Sequence, residues 1–383
     1  MTPVTPEDAL KAGSALGSSW MTDFTDLSRG DFELHLAAIG EMGFNTSGTS
    51  GQPSTWMRTS HQLLQEAEMT AHVLGLDHDS VHSTVSSESL YGFAAVLVAA
   101  KLQIPYVYDC WGVRQVPIRG KQPLVFSIPP SWQTLPDSLT RFFDEDRSSE
   151  TSSVRVIHAG ARLPPVAYQT VLRLKRHGHH IDGVELFGAS ETGVLGSRQF
   201  SVVRDAPWTV VSDTTVVSND QSAIHGHDGR DAIHLLTIGG PRVGHIEGSA
   251  TTTGGTATTG DLVVDSPTGT LRIIGRASRR VKPGGRWVDL DRLDSQLLGL
   301  LPEVKFVTTP IDDPLWGEHI ELIIDPSCSI DADSVHLHLR RHSDLIDVVP
   351  IRVRADASLD RSPMGKIRLP KPAHSRPGQH AAA

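Results

Sequence analysis

The spacing of apolar residues predicts helices in the first half of this chain. Apolar residues recur at helical spacing over 63–74, which predicts a helix with Ser60 at its N-cap. An uninterrupted apolar run at 90–102 predicts a buried helix, and a pair of prolines begins a further helix that ends near residue 177. A weaker amphipathic pattern covers 31–42. These segments therefore account for the helical part of a first domain.

Short apolar runs lie between these helices and predict strands. They fall at 81–85, 104–108, 123–128, 154–158 and 183–187. Strands that alternate with helices in this way predict an α/β sheet whose strand ends carry the functional loops.

The pattern changes after residue 202, where β-branched strands broken by turns continue to 264. Within them, the low-complexity run 249–259 predicts a mobile surface loop. Beyond residue 276 the chain predicts a hairpin, a helix, two strands, a second helix and a last strand, at 281–288, 289–301, 305–309, 319–324, 332–342 and 351–354. We therefore expect a large α/β domain with an added β-rich region over 1–276, a small mobile α+β domain over 277–369, and a disordered tail over 370–383.

Composition excludes several classes of protein. The 383 residues are 38% hydrophobic and 21% charged, as in an ordinary globular protein, and the net charge of -9 gives no general attraction for nucleic acid or anionic membranes. Cys110 and Cys328 are far apart and form no metal-binding or redox motif. No apolar stretch is long enough to span a bilayer, and no N-terminal segment resembles a signal peptide. We expect a cytoplasmic protein with no nucleic-acid partner.

Five short polar segments carry the candidate chemistry. They lie at 46–51, 187–193, 259–261, 275–276 and 365–367. Each alone is a turn pattern that chance could produce. Together they supply what a nucleotide-activating site needs: a phosphate-binding loop, an acid for a metal, an acid for ribose, an arginine and a mobile lysine. Their order resembles that of the adenylate-forming acyl/aryl-acid ligases, which adds a specific set of expectations.

The first segment is rich in glycine and hydroxyl groups, which suits close approach to phosphate oxygens. Alone, it is equally consistent with a flexible surface turn. It resembles the family's phosphate loop, except that Ser54 stands where that loop has lysine, so Arg58 is a candidate to supply the missing charge. By this resemblance the loop covers 46–54 and its ATP-binding residues are Thr46, Ser47, Gly48, Thr49, Ser50 and Gly51.

The second segment follows a predicted strand, where ligand loops belong in an α/β sheet. It resembles the family's Tyr-Gly-x-Thr-Glu segment. The resemblance implies that Phe187 packs against adenine, that Glu191 holds Mg²⁺, and that Thr192 contacts the α-phosphate. The remaining residues of the ATP-binding segment are Gly188, Ala189 and Ser190, of which Gly188 and Ala189 also line the acid pocket. The alternative is a helix N-terminus with an acid in its first turn.

The later segments complete the resemblance. In the family, the counterpart of Asp261 binds the ribose hydroxyls, that of Arg276 meets the nucleotide, and Ser278 stands at the interdomain hinge. A simple β-turn is the alternative for 259–261. Lys366 falls in the C-terminal Gly-Lys loop, whose lysine bridges the acid carboxylate and the α-phosphate. A thiol channel is implied at Lys282, Gly284 and Gly285.

Two weaker matches concern the adenine and the acid. Gly160 and Ala161 resemble the turn beside adenine, and the segment 86–92 falls where relatives approach the substrate carboxyl. Ser89 replaces the histidine found there in relatives. By this resemblance the acid pocket includes Ser89, Tyr91 and Gly92.

The resemblance covers about residues 45 to 370, with fewer residues before the phosphate loop than relatives carry. It therefore suggests a short form whose pocket is shallow, open or completed by a partner subunit, and it leaves a homo-oligomer open. The implied reaction uses ATP and Mg²⁺ to convert a carboxylic acid into an acyl-adenylate. The acyl group then passes to the pantetheine thiol of coenzyme A or of an acyl carrier protein, in a biosynthetic pathway. The alternatives are an amide or acyl-protein synthetase and a degenerate, non-catalytic binding subunit.

Overall fold

The chain forms two compact units whose boundary falls between Ala277 and Ser278. This computed structural model describes residues 1–11, 19–45, 55–112, 114–145, 152–160, 163–201, 206–217, 224–225, 232–248, 255–264, 269–281, 288–313, 317–343, 346, 350 and 352–356. None of the helices in these stretches is long and apolar enough to cross a membrane.

The helices of the first unit follow the predicted order. They are α1 (Pro6–Lys11), α2 (Arg29–Ile39), α3 (Ser60–Leu74), α4 (Leu90–Leu102), α5 (Leu135–Glu145) and α6 (Pro165–Arg176). The N-cap of α3 is Thr59, not Ser60, because the Thr59 hydroxyl accepts from the Gln62 amide and the Gln62 side chain bonds back. Helix α5 was not predicted, although it buries Leu135, Leu139, Phe142 and Phe143 along one face.

The strands of the first unit assemble mainly into one sheet. They are β1 (Thr2–Pro3), β2 (Ser19–Thr22), β3 (Glu41–Asn45), β4 (Thr55–Thr59), β5 (Ser80–Ser83), β6 (Tyr106–Asp109), β7 (Pro123–Ser127), β8 (Ser153–His158), β9 (His180–Ala189), β10 (Gly193–Gln199), β11 (Trp208–Val210), β12 (Thr215–Val217), β13 (Ile224–His225), β14 (Ala232–Gly239), β15 (His245–Ile246), β16 (Thr256–Val264) and β17 (Thr270–Arg276). The order in the large sheet is β1-β2-β6-β5-β7-β8-β9-β10-β11-β17-β16-β14-β12, with β13 on β14. Strands β15, β4 and β3 form a separate small sheet.

The centre of the large sheet is parallel. Strands β6, β5, β7, β8 and β9 all run in the same direction, and their carboxyl ends therefore meet at one edge. One face packs against α3 and α4 around buried residues such as Phe93 and Leu63. The other packs against α5 and α6 around Leu139 and Val171. Helices cover both faces, as expected for a buried parallel sheet, and the predicted α/β fold class is confirmed.

The β-rich region continues the same sheet with antiparallel strands from β10 to β12. Part of the low-complexity run differs from its prediction, since residues 256–259 belong to strand β16. There, β-branched threonines on a paired strand outweigh the low complexity of the run. The segment 249–254 lies outside the described residues.

The second unit is a small α+β fold with its own core. Its helices are α7 (Leu290–Leu300) and α8 (Ala332–Arg341), and its strands are β18 (Arg280–Val281), β19 (Val288–Asp289), β20 (Phe306–Asp313), β21 (Gly317–Ile324) and β22 (Arg352–Ala355). Strands β18 and β19 pair as the predicted hairpin, and β20, β21 and β22 form one sheet. Leu293, Leu297, Ile320 and Leu339 are fully buried between its helices and this sheet.

Candidate active site

The segment that carries Glu191 is a tight turn between two strands of the large sheet. Strand β9 continues through Gly188 and Ala189, which pair with Val194 and Gly193 of β10. Residues 190–192 connect the two strands, and the amide of residue 192 donates to the Ala189 carbonyl at 3.1 Å. The predicted strand is thus longer than expected because cross-strand pairing extends it. The alternative of a helix N-terminus is wrong.

Backbone hydrogen bonds hold this turn from two sides. The amide of Gly244 donates to the Glu191 carbonyl at 2.9 Å, and Arg58 Nη2 donates to the Ser190 carbonyl at 2.9 Å. Thr192 is buried, whereas the Glu191 side chain stays half-buried. The main chain of the turn is therefore fixed while its carboxylate keeps contact with solvent.

Arg58 does not have the role that its position in the sequence suggested. Its side chain is 0% exposed, and a second guanidinium nitrogen donates to the Arg242 carbonyl. Burial lowers the pKa of Arg58 to about 10, so the side chain still carries its charge at neutral pH. Because its guanidinium bonds two carbonyls inside the protein, Arg58 supports the Glu191 turn and does not replace the lysine of a phosphate loop.

A buried ion network lies behind the same turn. Arg242 Nη1 contacts Glu66 Oε2 at 2.6 Å, and Arg242 Nε contacts Asp213 Oδ2 at 2.6 Å. The other Glu66 oxygen accepts from the Val194 amide at 2.9 Å, and Arg242 also donates to the Val194 carbonyl at 2.7 Å. Burial alone would lower the pKa of Arg242, but its pairing with Glu66 and Asp213 raises it overall. Arg242 therefore stays charged, and both members of its pair with Glu66 are bonded to Val194 near the start of β10.

The residues of this network were missed in the sequence. Glu66 is 1% exposed and lies on α3 in line with Gln62 and Thr70, at intervals of four residues. Such a polar stripe beside the apolar face of a predicted helix is the signal that was available. Arg242 and Asp213 gave no comparable signal because they lie in connections between strands.

Gly193 is the residue at which the turn meets the ion pair. Its φ is +74°, and a Cβ atom there would lie 2.0 Å from Glu66 Oε2 and 2.8 Å from Arg242 Nη1. We expect Gly193→Ala to reduce the free energy of unfolding by about 2–4 kcal/mol, from left-handed backbone strain and overpacking together. Urea unfolding measures the loss. Gly178 is a matched control, since its φ is +85° but nothing lies within 4 Å, so Gly178→Ala should cost only about 1 kcal/mol. Equal losses in the two variants would contradict this account of Gly193.

Three of the predicted site segments meet at the carboxyl edge of the parallel strands. His158, the last residue of β8, pairs with Glu185 of β9. Gly160 therefore follows the carboxyl end of β8, and Phe187 lies two residues beyond Glu185 on β9. The Tyr91 hydroxyl reaches the same edge and donates to the carbonyls of Ser127 and Ile157, at 3.3 and 3.2 Å. This is the edge at which ligands bind in open α/β sheets.

Phe187 is part of an aromatic stack on the β-rich side. Its ring lies 5.5 Å from that of Trp208, and the Arg198 guanidinium lies 4.0 Å above the Trp208 ring. Arg198 Nε also bonds Glu185 at 2.7 Å. Phe187 remains half-buried, so one side of the ring is supported while part of it stays accessible.

Three of the five residues predicted for the acid pocket, Ser89, Tyr91 and Gly92, lie together at the start of α4. Ser89 caps this helix and accepts from the Gly92 amide at 3.0 Å. A Cβ atom at Gly92 would lie 2.0 Å from the Ser86 carbonyl oxygen, so only glycine fits there. Each of these residues has a structural contact, and contact with an acid substrate stays a prediction.

Asp261 and Arg276 form an ion pair on neighbouring strands. They are register partners of β16 and β17, and Arg276 Nε lies 3.0 Å from Asp261 Oδ1. The Asp261 carboxylate is buried, while the Arg276 side chain is 40% exposed. The alternative of a β-turn at 259–261 is wrong, because these residues are inside a strand. The predicted ribose acid and nucleotide arginine are therefore adjacent.

The remaining predicted site residues fall at the boundary of the units or outside the described residues. Ser278 belongs to the short 3₁₀ helix Ala277–Arg279 at the boundary of the units. The following lie outside the described residues: Thr46, Ser47, Gly48, Thr49, Ser50, Gly51, Ala161, Lys282, Gly284, Gly285 and Lys366.

The described residues also bear on the proposed Mg²⁺. They contain no group of three or more acidic, histidine or cysteine side chains that could hold a metal ion. Mg²⁺ in nucleotide sites is usually bound by one or two carboxylates together with substrate phosphates. A half-buried Glu191 on a fixed turn fits that donor set.

Comparison with solved structures identifies the fold. The O-succinylbenzoate coenzyme A synthetase of Bacillus subtilis, in complex with ATP and magnesium, matches 85% of this chain and 68% of its own, with a TM-score of 0.63 and 16% identity. ATP-bound MatB of Rhodopseudomonas palustris matches 85% of this chain and 66% of its own, with a TM-score of 0.58 and 19% identity. McyG A-PCP, complexed with phenylalanyl-adenylate, matches 85% of this chain and 64% of its own, with a TM-score of 0.64 and 14% identity. The chain therefore has the fold of these ligase structures, which is the fold that the sequence resemblance predicted.

Sequence comparison matches a smaller part of the chain than structure comparison does. No protein-family profile matches the chain. Pseudomonine synthase PmsE of Pseudomonas entomophila is 31% identical over 111 residues, which is 28% of this chain and 18% of that protein. The chain thus matches only a small part of this curated relative, and about two thirds of the solved structures.

Proposed function

We propose that this protein is an ATP- and Mg²⁺-dependent enzyme that activates a carboxylic acid as an acyl-adenylate. One observation carries the proposal. Within a ligase fold, the Glu191 turn, Gly160 and Phe187 lie at the edge of the parallel sheet where a nucleotide would bind. The ATP and phenylalanyl-adenylate complexes of the similar structures support it.

In the first step, a carboxylate oxygen of the acid attacks the α-phosphorus of ATP, and pyrophosphate leaves. Phe187 would pack against adenine, Asp261 would accept from the ribose hydroxyls, and Thr192 would contact the α-phosphate. Glu191 would hold Mg²⁺, which would supply positive charge to the phosphate oxygens. Lys366 would place a cation between the attacking carboxylate and the α-phosphate, where negative charge develops.

In the second step, a thiolate attacks the acyl carbonyl and AMP leaves. The mixed anhydride formed first makes this displacement easier than a direct reaction of the acid. We propose coenzyme A or the phosphopantetheine of a carrier protein as the acceptor, with Ser278 as the hinge between the two steps. The sequence match to a pseudomonine synthase favours a biosynthetic role. From the sequence resemblance, we propose an aryl or short to medium acyl acid as the substrate. A cytoplasmic location remains a prediction from composition.

The test is ATP-dependent pyrophosphate release across a panel of aryl and fatty acids, with mass spectrometry of the adenylates. Release with one acid class supports the proposal, and added coenzyme A, carrier protein or amine then identifies the acceptor. A folded protein that neither binds ATP nor releases pyrophosphate with any acid would instead be the non-catalytic binding subunit.

A change at Asp261 tests the ribose contact. Asp261→Asn keeps the shape of the side chain but removes the charge that would accept hydrogen bonds from ribose. We expect the KM for ATP to rise about tenfold or more, with a smaller change in kcat. Steady-state pyrophosphate release measures both constants. Asp182→Asn is the control, since the Asp182 side chain is 48% exposed and pairs with Lys175 and Arg155. An unchanged KM in Asp261→Asn would remove this residue from the site.

A further inference from the structure

The buried ion network of Glu66, Arg242 and Asp213 is connected to both ends of the Glu191 turn. Glu66 accepts from the Val194 amide, just after the turn. Arg242 lies two residues before Gly244, whose amide bonds the Glu191 carbonyl. The Arg242 carbonyl in turn accepts from Arg58, which also bonds the Ser190 carbonyl. The connection between β14 and β15 is thus fastened to the turn through these side chains.

We propose that the Glu66–Arg242 ion pair is a positioning device that sets the Glu191 turn for the binding of Mg²⁺ and nucleotide. Neither residue touches the proposed ligands; both act through the backbone of the turn. This inference rests on the proposed function only for its Mg²⁺ readout, because the effect on the turn itself can be measured without any reaction.

Charge and burial explain why such a pair can hold the turn rigidly. Glu66 and Arg242 are 1% and 2% exposed, and Asp213 forms a second ion pair with the same guanidinium. Together with Arg58, the cluster contains two carboxylates and two guanidinium groups, so it carries no net charge into the interior. A buried ion pair is strongly disrupted when one partner is removed, because the other remains uncompensated. The turn therefore has one arrangement as long as the pair is intact.

The shape of the turn is matched to the pair. At Gly193 the backbone approaches so closely that a Cβ atom would overlap Glu66 Oε2. Gln62 adds a further bond from α3 to the same connection, donating to the Val243 carbonyl at 2.6 Å. Helix α3 thus contacts the connection between β14 and β15 through Gln62, and the start of β10 through Glu66 one helical turn later.

The test is Glu66→Gln, which keeps an acceptor for the Val194 amide but removes the Glu66 charge from Arg242, whose remaining carboxylate partner is Asp213. We expect the Mg²⁺ concentration for half-maximal pyrophosphate release to rise about 10–100-fold, as for other residues that orient a metal ligand. Hydrogen exchange of the Gly244 amide should also become faster, because its acceptor is the Glu191 carbonyl. Wild-type Mg²⁺ dependence together with wild-type exchange in folded Glu66→Gln would overturn the proposal.

A matched control separates positioning from a general loss of stability. Glu321 is another buried carboxylate, 4% exposed and 3.0 Å from Arg354, and it lies in the second unit. Glu321→Gln should lower the melting temperature without changing Mg²⁺ dependence or Gly244 exchange. An equal shift in Mg²⁺ dependence in this control would overturn the proposal, since a merely structural role would then explain the effect.

A second variant keeps the proposal testable if Glu66→Gln does not fold. In Glu66→Met with Arg242→Met, the pair is removed as a unit, which buried ion pairs often tolerate. Fast Gly244 exchange in this folded variant supports positioning, and slow exchange overturns it. If the wild-type protein releases no pyrophosphate with any acid, the proposed function fails, but the exchange comparison still decides whether the pair sets the turn.

Discussion

Glu191→Gln should reduce ATP-dependent pyrophosphate release by about 10²–10³-fold, because an amide replaces the charged oxygen proposed to hold Mg²⁺. The fold should not change, since the turn is held by its backbone bonds to Gly244 and Arg58 and not by the Glu191 side chain. Excess Mg²⁺ should restore part of the rate, which distinguishes a weakened metal site from a lost catalytic group. Initial rates measured over a range of Mg²⁺ concentrations test both expectations.

The control is Glu247→Gln, an exposed carboxylate that follows β15, three residues after Gly244. It removes one negative charge nearby and should leave the Mg²⁺ dependence unchanged. If Glu191→Gln behaves like this control, the assignment of Glu191 as a metal ligand is wrong. If both variants lose activity equally, the effect comes from the general field of the region.

The parts of the fold that could be predicted are those that local pattern determines. The apolar run at 90–102 corresponds residue for residue to α4, because a helix buried on every side needs no partner to be recognised. The cap of α3 was misplaced by one residue, although Thr59 and Gln62 have the spacing of a capping box. The capping-box spacing therefore identifies Thr59 as the cap of α3, and Ser60 is the first residue of the helix.

Helix α5 shows a different kind of miss. Leu135, Leu139, Phe142 and Phe143 have helical spacing, but Pro136 and the polar residues between them resemble a connection. Proline is tolerated in the first turn of a helix, so its position did not exclude one. The apolar face became informative only when it was seen against the sheet core that includes Val154 and Ile181.

The candidate site also has a part that the sequence predicts and a part that only the fold brings together. The chemistry-bearing segments were recognisable because their residue types and order are specific, and Asp261 and Arg276 do meet as neighbours. What fixes the Glu191 turn was not recognisable, because Glu66, Asp213 and Arg242 are far apart in sequence and meet only through the fold. No spacing rule predicts such a network. The misassignment of Arg58 has the same cause, since its burial depends on the connection that contains Arg242.

Lys366→Ala should abolish adenylate formation while leaving the fold and the transfer from a preformed adenylate largely intact. A cation beside the attacking carboxylate stabilises charge that appears only in the transition state of the first step, and loss of such a group costs about 10²–10³-fold in kcat. The second step has a neutral thioester and AMP as products and makes no use of that contact. Pyrophosphate release and thioester formation from synthetic acyl-adenylate measure the two steps separately.

This separation is what makes Lys366 decisive for the proposed mechanism. Lys305→Ala is the control, as Lys305 is an exposed lysine of the second unit and its loss should affect neither step. Equal losses of both steps in Lys366→Ala would indicate a general disturbance of the protein. Unchanged pyrophosphate release would refute the role of Lys366, and the charge on the attacking carboxylate would then have to be balanced by another group, for which Arg276 is the exposed cation beside Asp261.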